Sequence, residues 1–244
     1  MYWPVKVPYT TRPSMTKLVG DLYNKNPDLY YLQEKHKEIS LLGDDLWAVL
    51  PVASNLIKKS CEKLGLPITT DIVNFGMRFE EDVAILHDGK LVAICFCFPS
   101  SWIPRERIGM DLERIHGPVA DGEYLRNASK KLAVTMADPV LGCFQRSVWT
   151  IKSSGQLSNH PSYQLPEPTT IEDLWIRVEN QTTLPLGDGM TSLFFVKVIT
   201  KPLTDFWSDP DKREDIVESV NSMSESILEY KNLRGVKQIL NQSL

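Results

Sequence analysis

The sequence predicts an α+β fold, with one antiparallel sheet of about five strands flanked by N- and C-terminal helices. Three observations support this: a hairpin around an Asp-Gly pair, three strand-like runs between residues 143 and 200, and helical periodicity towards both ends. We expect helices to cover one face of the sheet. The chain divides into an N-terminal arm with helices (1–70), a sheet core (71–205) and C-terminal helices (206–244), all in one domain.

The first elements predicted are an extended arm and a helix. The arm mixes Pro, Tyr and Trp without a period. The helix spans Asp44 to Leu64, where apolar residues recur at helical spacing, with a bend at Pro51 and a stop at Gly65 and Pro67. This region should therefore precede the sheet as one bent helix.

A β-hairpin is predicted in EDVAILHDGKLVAICFCFP, where Asp88 and Gly89 join two apolar runs. This pair suits the positive backbone angles of a tight hairpin turn. His87, beside the turn, is expected to be a solvated polar residue without a functional role.

The four cysteines show no metal-binding spacing. Cys95 and Cys97 alternate with phenylalanines, and neither Cys61 nor Cys143 completes a paired cluster. Zinc and iron–sulfur sites need such clusters, so we expect four buried free thiols.

The second half of the chain supplies the other elements. An amphipathic helix is predicted in GEYLRNASKKLAVTMADP, ending before Pro139. Strands are predicted in CFQRSVWTI, DLWIRVEN and TSLFFVKVIT, and one or two helices follow from Asp209 onwards.

Composition narrows the function classes. The 244 residues are 42% hydrophobic, with a net charge of −4 and scattered lysines and arginines. We therefore expect no nucleic-acid partner. No run approaches the length needed to cross a bilayer and the N-terminus lacks the apolar core of a secretory signal, so we expect a cytoplasmic protein without a membrane partner.

Several polar residues stand out on the predicted strands. Strand alternation places Arg177, Glu179 and Gln181 on one face, as either a solvated surface with an ion pair or a polar site. In the preceding strand Arg146 and Trp149 point to opposite faces, and a tryptophan facing inwards is commonly a core residue.

His116 lies in GMDLERIHGPVADGEY, before a Gly-Pro turn. A neutral imidazole here could serve as a general base, a metal ligand or the axial ligand of a haem. The other histidines lie in unrelated contexts, and no phosphate loop, nucleophile elbow or zinc-protease motif is present. Of the metal options, haem is the one that needs a single protein ligand.

Several motifs, taken together and in their order along the chain, resemble the haem-dependent oxidative N-demethylase α-subunit-like family. They are CFPSSWIPRERIGMDLERIHGPVA, RSVWTI, and LWIRVENQTTLPL with TSLFFVKVITKPL. The resemblance runs from about Val83 to Leu203. It implies a PAS-like fold around haem b, and an oxygenase that uses dioxygen to oxidise the N-methyl group of a small amine, releasing formaldehyde. Electrons would come from a separate reductase partner, or peroxide would replace them.

The resemblance also assigns roles to residues of this chain. His116 falls on the motif histidine and becomes the expected axial iron ligand. The resemblance further implies that Arg177 pairs with a haem propionate and that Glu179 and Gln181 act catalytically in the pocket. Trp102, Arg146 and Trp149 are expected to contact the cofactor.

The sequence departs from the family pattern at three points. Val148 replaces an asparagine, Asn180 replaces an arginine, and the last motif, here TTLPLGDG, lacks its arginine. Substrate identity therefore does not transfer. Two other hypotheses stay open: a haem-based gas-binding or sensor module, and a haem-free interaction protein on the same fold.

Overall fold

One antiparallel sheet organises the protein. The computed structural model describes residues 3–244. Within them, seven strands pair in the order β1-β5-β6-β7-β3-β4-β2. The strands are β1 (Thr16–Lys17), β2 (Trp47–Val49), β3 (Asp82–His87), β4 (Lys90–Cys95), β5 (Phe144–Lys152), β6 (Trp175–Pro185) and β7 (Thr191–Pro202).

Nine α-helices accompany the sheet over residues 3–244. They are α1 (Leu29–Leu42), α2 (Ala53–Leu64), α3 (Ile72–Gly76), α4 (Leu112–Ile115), α5 (Glu123–Ala137), α6 (Thr204–Trp207), α7 (Pro210–Asn221), α8 (Glu225–Lys231) and α9 (Arg234–Gln242). In the described part of the chain, no helix combines the length and apolar character needed to cross a membrane.

One face of the sheet, which we call the helical face, is covered by two groups of helices. Trp149 and Val178, paired across β5 and β6, pack into a cluster with apolar residues of α7, α8 and α9. On the other half, Phe79 packs edge-on against Phe195 of β7. Helix α3 lies so close to β4 that a Cβ atom at Gly76 would be 2.9 Å from Cys95 Sγ.

The opposite face, the cavity face, carries the alternate side chains of the same strands. Its paired residues include Arg146 with Gln181, Gln181 with Val196, and Ala84 with Phe194. The N-terminal arm, the segment from Ser100 to Ala120 and α5 enclose a cavity over this face. Both faces are therefore covered, which corrects the expectation of one covered face.

A buried charge network ties the chain together at one end of the cavity face. Asp82 accepts hydrogen bonds from the backbone of Cys97 and Phe98 at 2.8 and 2.9 Å, and Lys35 Nζ lies 3.7 Å from its carboxylate. Arg177 donates to the carbonyl oxygen of Phe98 from the other side. These three charged side chains are almost fully buried. They hold the chain after β4 above the sheet.

The first predicted helix is wrong over its first half. Residues Gly43–Leu46 form a 3₁₀ turn and Trp47–Val49 form β2, so the helix, α2, begins only at Ala53. The reason is pairing: β2 forms an antiparallel ladder with β4 in which Trp47 lies opposite Cys95. Together with the two-residue β1, this short edge strand raises the strand number from about five to seven.

Most other element predictions are confirmed. The hairpin turns at Asp88 and Gly89, both with positive φ, and α5 ends before Pro139. Cys61, Cys95 and Cys97 are buried free thiols, but Cys143 is half-exposed because it lies in the loop before β5. His87 is also partly buried, and its Nδ1 lies 2.7 Å from the hydroxyl of Thr191 on the neighbouring strand.

The N-terminal arm runs back to the C-terminal helices. Trp3 donates to Asp215 of α7 at 2.8 Å, and the backbone of Tyr9 donates to the Ser222 hydroxyl at 2.9 Å. Tyr9 also packs edge-on against Trp149, with the ring centroids 6.4 Å apart. The arm therefore closes one side of the cavity.

Candidate functional site

The cavity over the cavity face has a volume of about 590 Å³. Its lining is largely apolar, from the sheet and from α4 and α5, with a few polar side chains on β5 and β6. A space of this size with converging polar groups is typical of a small-molecule or cofactor site. The apolar lining includes Ala84, Leu86, Ile94, Phe96, Ile115, Leu125, Leu132, Met136, Phe194 and Val196.

His116 lines this cavity at the C-terminal end of α4. The helix begins at Asp111, whose carboxylate accepts from the backbone of Arg114 at 2.8 Å. The His116 Nδ1 lies 2.7 Å from the carbonyl oxygen of Leu112. Because a carbonyl only accepts, Nδ1 carries the proton and Nε2 keeps its lone pair. Within residues 3–244, no hydrogen bond engages Nε2.

The electrostatics around His116 keep the imidazole neutral. Its pKa is lowered to about 4, chiefly by burial and in part by the nearby Arg146 guanidinium, while the bond to Leu112 acts in the opposite direction. A neutral imidazole with one nitrogen held by a backbone carbonyl is the usual state of a metal-binding histidine.

Arg146 points into the cavity from β5, opposite Gln181 of β6. Burial lowers the pKa of its guanidinium, which Glu179 partly counteracts. Over the described chain, the Arg146 side chain takes part in no hydrogen bond or ion pair. A guanidinium placed this way is suited to bind a carboxylate of a ligand, through two parallel hydrogen bonds.

Arg177 also borders the cavity, but the protein itself engages its guanidinium. Nη1 donates to the carbonyl of Leu157, Nη2 donates to that of Phe98 at 2.7 Å, and Nη2 lies 3.5 Å from Glu179. In the described chain the buried Nε has no hydrogen-bond partner, so it remains as a donor for a ligand. Arg177 thus holds the cavity wall through its two other nitrogens, and its expected role in binding the cofactor stays a prediction.

Glu179 and Gln181 are neighbours on the cavity side of β6. The amide of Gln181 donates to the carboxylate of Glu179 at 3.3 Å, and both side chains line the cavity. The alternation expected from the sequence thus produces a polar site and not a solvated surface.

The two tryptophans expected to contact the cofactor occupy different positions. Trp102 lines the cavity and packs edge-on against Phe96, with 5.6 Å between the ring centroids. Trp149 borders the cavity, but its ring is buried in the cluster on the helical face. Trp149 is therefore chiefly a core residue.

Sequence reasoning missed several cavity-lining groups. Arg107, Lys152 and Lys231 add three cations, and Tyr9 and Tyr230 add two phenols. Lys152 could have been found, because it follows Arg146 by an even number of residues on the same strand. Lys231 carries no such signal, since α8 reaches the cavity only through tertiary packing.

The residues described contain no group of three or more His, Cys, Asp or Glu side chains that could hold a metal ion. A haem does not need such a group, because one axial histidine suffices on the protein side. The neutral His116 in a largely apolar cavity meets that requirement.

Two comparisons with known proteins bear on this site. No curated protein matches the chain. A family model described as haem-dependent oxidative N-demethylase, alpha subunit-like, matches residues 11–241, which cover the whole sheet and the walls of the cavity almost completely. The match extends well beyond the motifs around His116 and Arg177, and it shows that the chain belongs to the haem-dependent oxidative N-demethylase, alpha subunit-like family.

Proposed function

We propose that this protein is a haem-dependent oxygenase that oxidises the N-methyl group of a small nitrogen-containing substrate, with haem b bound through His116. One observation carries the proposal: the neutral imidazole is held at Nδ1 by Leu112 and presents a free Nε2 in a cavity of about 590 Å³. Membership of the family supports the same chemistry. A single antiparallel sheet with a cavity on one face is compatible with a PAS-like arrangement, and we treat the whole chain as one haem-binding unit.

The lining residues fit haem b. The apolar side chains from the sheet and α5 suit the faces of a macrocycle, and Trp102 adds an aromatic surface. Haem b carries two propionates, and Arg146 has a guanidinium free to pair with one of them. Arg177 holds the wall, and Trp149 acts indirectly, through the core behind it.

Glu179 and Gln181 would orient the substrate and handle protons. Glu179 accepts from Gln181 and lies near Arg177, so its carboxylate is held in a defined direction inside the cavity. Haem, when bound, supplies the dioxygen and electron chemistry that oxidation of an N-methyl group requires. The proposed partners are dioxygen, the small substrate and a separate reductase, with peroxide as the alternative to the reductase. The proposed location is the cytoplasm.

The first test is an absorption spectrum of the protein titrated with haem, beside the variants His116→Ala and His36→Ala. His36 is exposed on α1, far from the cavity lining, so it controls for loss of a histidine. We expect a Soret band in the wild type and in His36→Ala, and a shifted or missing band in His116→Ala.

A wild-type protein without a Soret band after titration would reject haem binding and leave the interaction-protein hypothesis. If haem binds, formaldehyde release from N-methylated substrates with a reductant or peroxide tests the oxygenase. Stable binding of diatomic gases without turnover of any such substrate would instead favour the sensor hypothesis.

A further inference from the structure

The charges lining the cavity are strongly unbalanced. Seven cationic side chains and a single carboxylate line it, and two of the cations, Lys6 and Arg12, are exposed. The remaining five cations face one acid, Glu179. These five are Arg107, Arg146, Lys152, Arg177 and Lys231.

Pairing within the protein removes one cation from this excess. Arg177 lies 3.5 Å from Glu179, so these two charges offset one another. Among residues 3–244, the side chains of Arg107, Arg146 and Lys152 make no ion pair or hydrogen bond. Lys231 donates to the carbonyl oxygen of Trp149 at 3.1 Å, which leaves its charge uncompensated.

Such an excess is costly in a partly buried space, because desolvation penalises each unpaired charge. Burial lowers the pKa of Lys152, and it lowers the pKa of Lys231 to about 8. Anionic ligands are the usual compensation for cations held in this way. The cavity therefore requires about four negative charges from what it binds, or solvent ions in their place.

Haem b accounts for half of this requirement. Its two propionates neutralise two of the four uncompensated cations, and two cations remain. A simple alkylamine, which is a cation at neutral pH, would add to the excess and not relieve it. A substrate that also carries a carboxylate is a zwitterion, which adds no net charge, and its carboxylate can pair with one of the two remaining cations.

We propose that the substrate of this cavity carries its own acid group, as an N-methylated amino acid or a related N-methyl carboxylate does. This inference rests on the proposed function and narrows its substrate class. Glu179, the one carboxylate of the lining, already lies 3.5 Å from Arg177, so the fit of such a molecule depends on the end that carries the acid group. Its carboxylate end matches Lys152 and Lys231, both of which interact electrostatically with Glu179.

The test compares two probes of similar size, N,N-dimethylglycine and dimethylamine, by titration calorimetry on the haem-treated protein. We expect dimethylglycine to bind at least about tenfold more tightly, because one charge-assisted hydrogen bond contributes about 1.5 kcal/mol or more. Equal or tighter binding of dimethylamine, or no detectable binding of dimethylglycine, would overturn the proposal.

A variant tests whether Lys152 binds the carboxylate of the substrate. Lys152→Met should weaken dimethylglycine binding about tenfold but should not weaken dimethylamine binding, because the variant removes a charge that repels an alkylammonium ion. Lys130→Met is the matched control, because Lys130 is exposed on α5 and does not line the cavity. Unchanged dimethylglycine affinity in Lys152→Met would show that Lys152 does not bind the carboxylate.

The Soret band recorded on the same samples separates this inference from the proposed function. Haem binding without preference for the carboxylate probe rejects the inference alone. Preference for dimethylglycine in a protein that takes up no haem rejects the haem proposal but supports the anionic ligand class.

Discussion

Arg177 on β6 donates through Nη2 to the backbone carbonyl of Phe98, 2.7 Å away and 79 positions earlier in the sequence. The same carbonyl belongs to the short segment that Asp82 holds through two backbone amides. One end of the cavity is thus held by a cation and a carboxylate that act on two adjacent residues, Cys97 and Phe98.

Arg177→Met should lower the free energy of unfolding by about 3 kcal/mol, because two buried carbonyls lose their donor. Urea denaturation followed by tryptophan fluorescence measures the change. Arg105→Met is the matched control: Arg105 is exposed, and its contacts with Asp44 and Asp45 exceed 3.6 Å. A loss below about 1 kcal/mol in both variants would show that Arg177 does not hold the segment.

Asp82 should give the protein a specific pH dependence. The pKa of its carboxyl is raised to about 6, chiefly by burial, although Lys35 and the two amides counteract this. An unfolded aspartate titrates near pH 3.9. Between about pH 4 and 6 the folded chain therefore keeps a proton on Asp82 that the unfolded chain does not, so the contribution of Asp82 to stability falls as the pH rises, by up to about 3 kcal/mol. His116, whose pKa is lowered to about 4, contributes in the opposite direction over the same pH range.

Asp82→Asn should remove the contribution of Asp82, so that stability rises more steeply with pH between about pH 4 and 6 than in the wild type, whatever the effect of the variant at a fixed pH. Unfolding free energies at half-unit steps from pH 4 to 7 test it. Asp88→Asn, in the exposed hairpin turn where Asn-Gly is equally well tolerated, should keep the wild-type slope. A pH dependence that is the same in Asp82→Asn as in the wild type would assign the effect to another group.

Gly155 should tolerate no side chain. A Cβ atom there would lie 2.6 Å from the ring of Trp175. Gly155→Ala should therefore destabilise the protein by about 1–3 kcal/mol, as overpacking does. Gly235→Ala is the opposite case, since nothing lies within 4 Å of its Cβ position in α9. That variant should be neutral or stabilising, by about 0.5 kcal/mol. Thermal unfolding of the two variants measures both effects. Similar melting temperatures would contradict the close approach of Trp175 to Gly155.

Arg146→Met should weaken haem binding about tenfold, because a guanidinium–propionate pair is lost. The measurement is a haem titration followed at the Soret band. Arg234→Met supplies the control, since Arg234 is exposed on α9 and contacts Glu225 and Glu229. Equal affinities in the two variants would mean that Arg146 does not contact a propionate.

Strand alternation predicted much of the candidate site. It placed Arg177, Glu179 and Gln181 on one face and separated Arg146 from Trp149, and the register of β5 and β6 confirms both groupings. Alternation is a local property of an extended backbone, so it can be recognised without knowing the tertiary partners.

The features that were missed depend on partners distant in sequence. The segment before Pro51 has an apolar spacing that suits a helix, but Trp47 pairs with Cys95 to form β2. Lys35 lies on a helix, and only the fold brings it to Asp82, from which it is 47 positions away. The hydrogen bond from Arg177 to Phe98 likewise has no local signature, because the two residues are 79 positions apart.

The contact between the N-terminal arm and the C-terminal helices also constrains the order of events during synthesis. The cavity is bordered by Tyr9 near one end of the chain and by Ile227, Tyr230 and Lys231 near the other. A ribosome makes the arm before α8, and all seven strands are made between them. Until α8 has emerged, one side of the cavity is open to water, so a ligand that needs the complete enclosure is captured after translation and not during it.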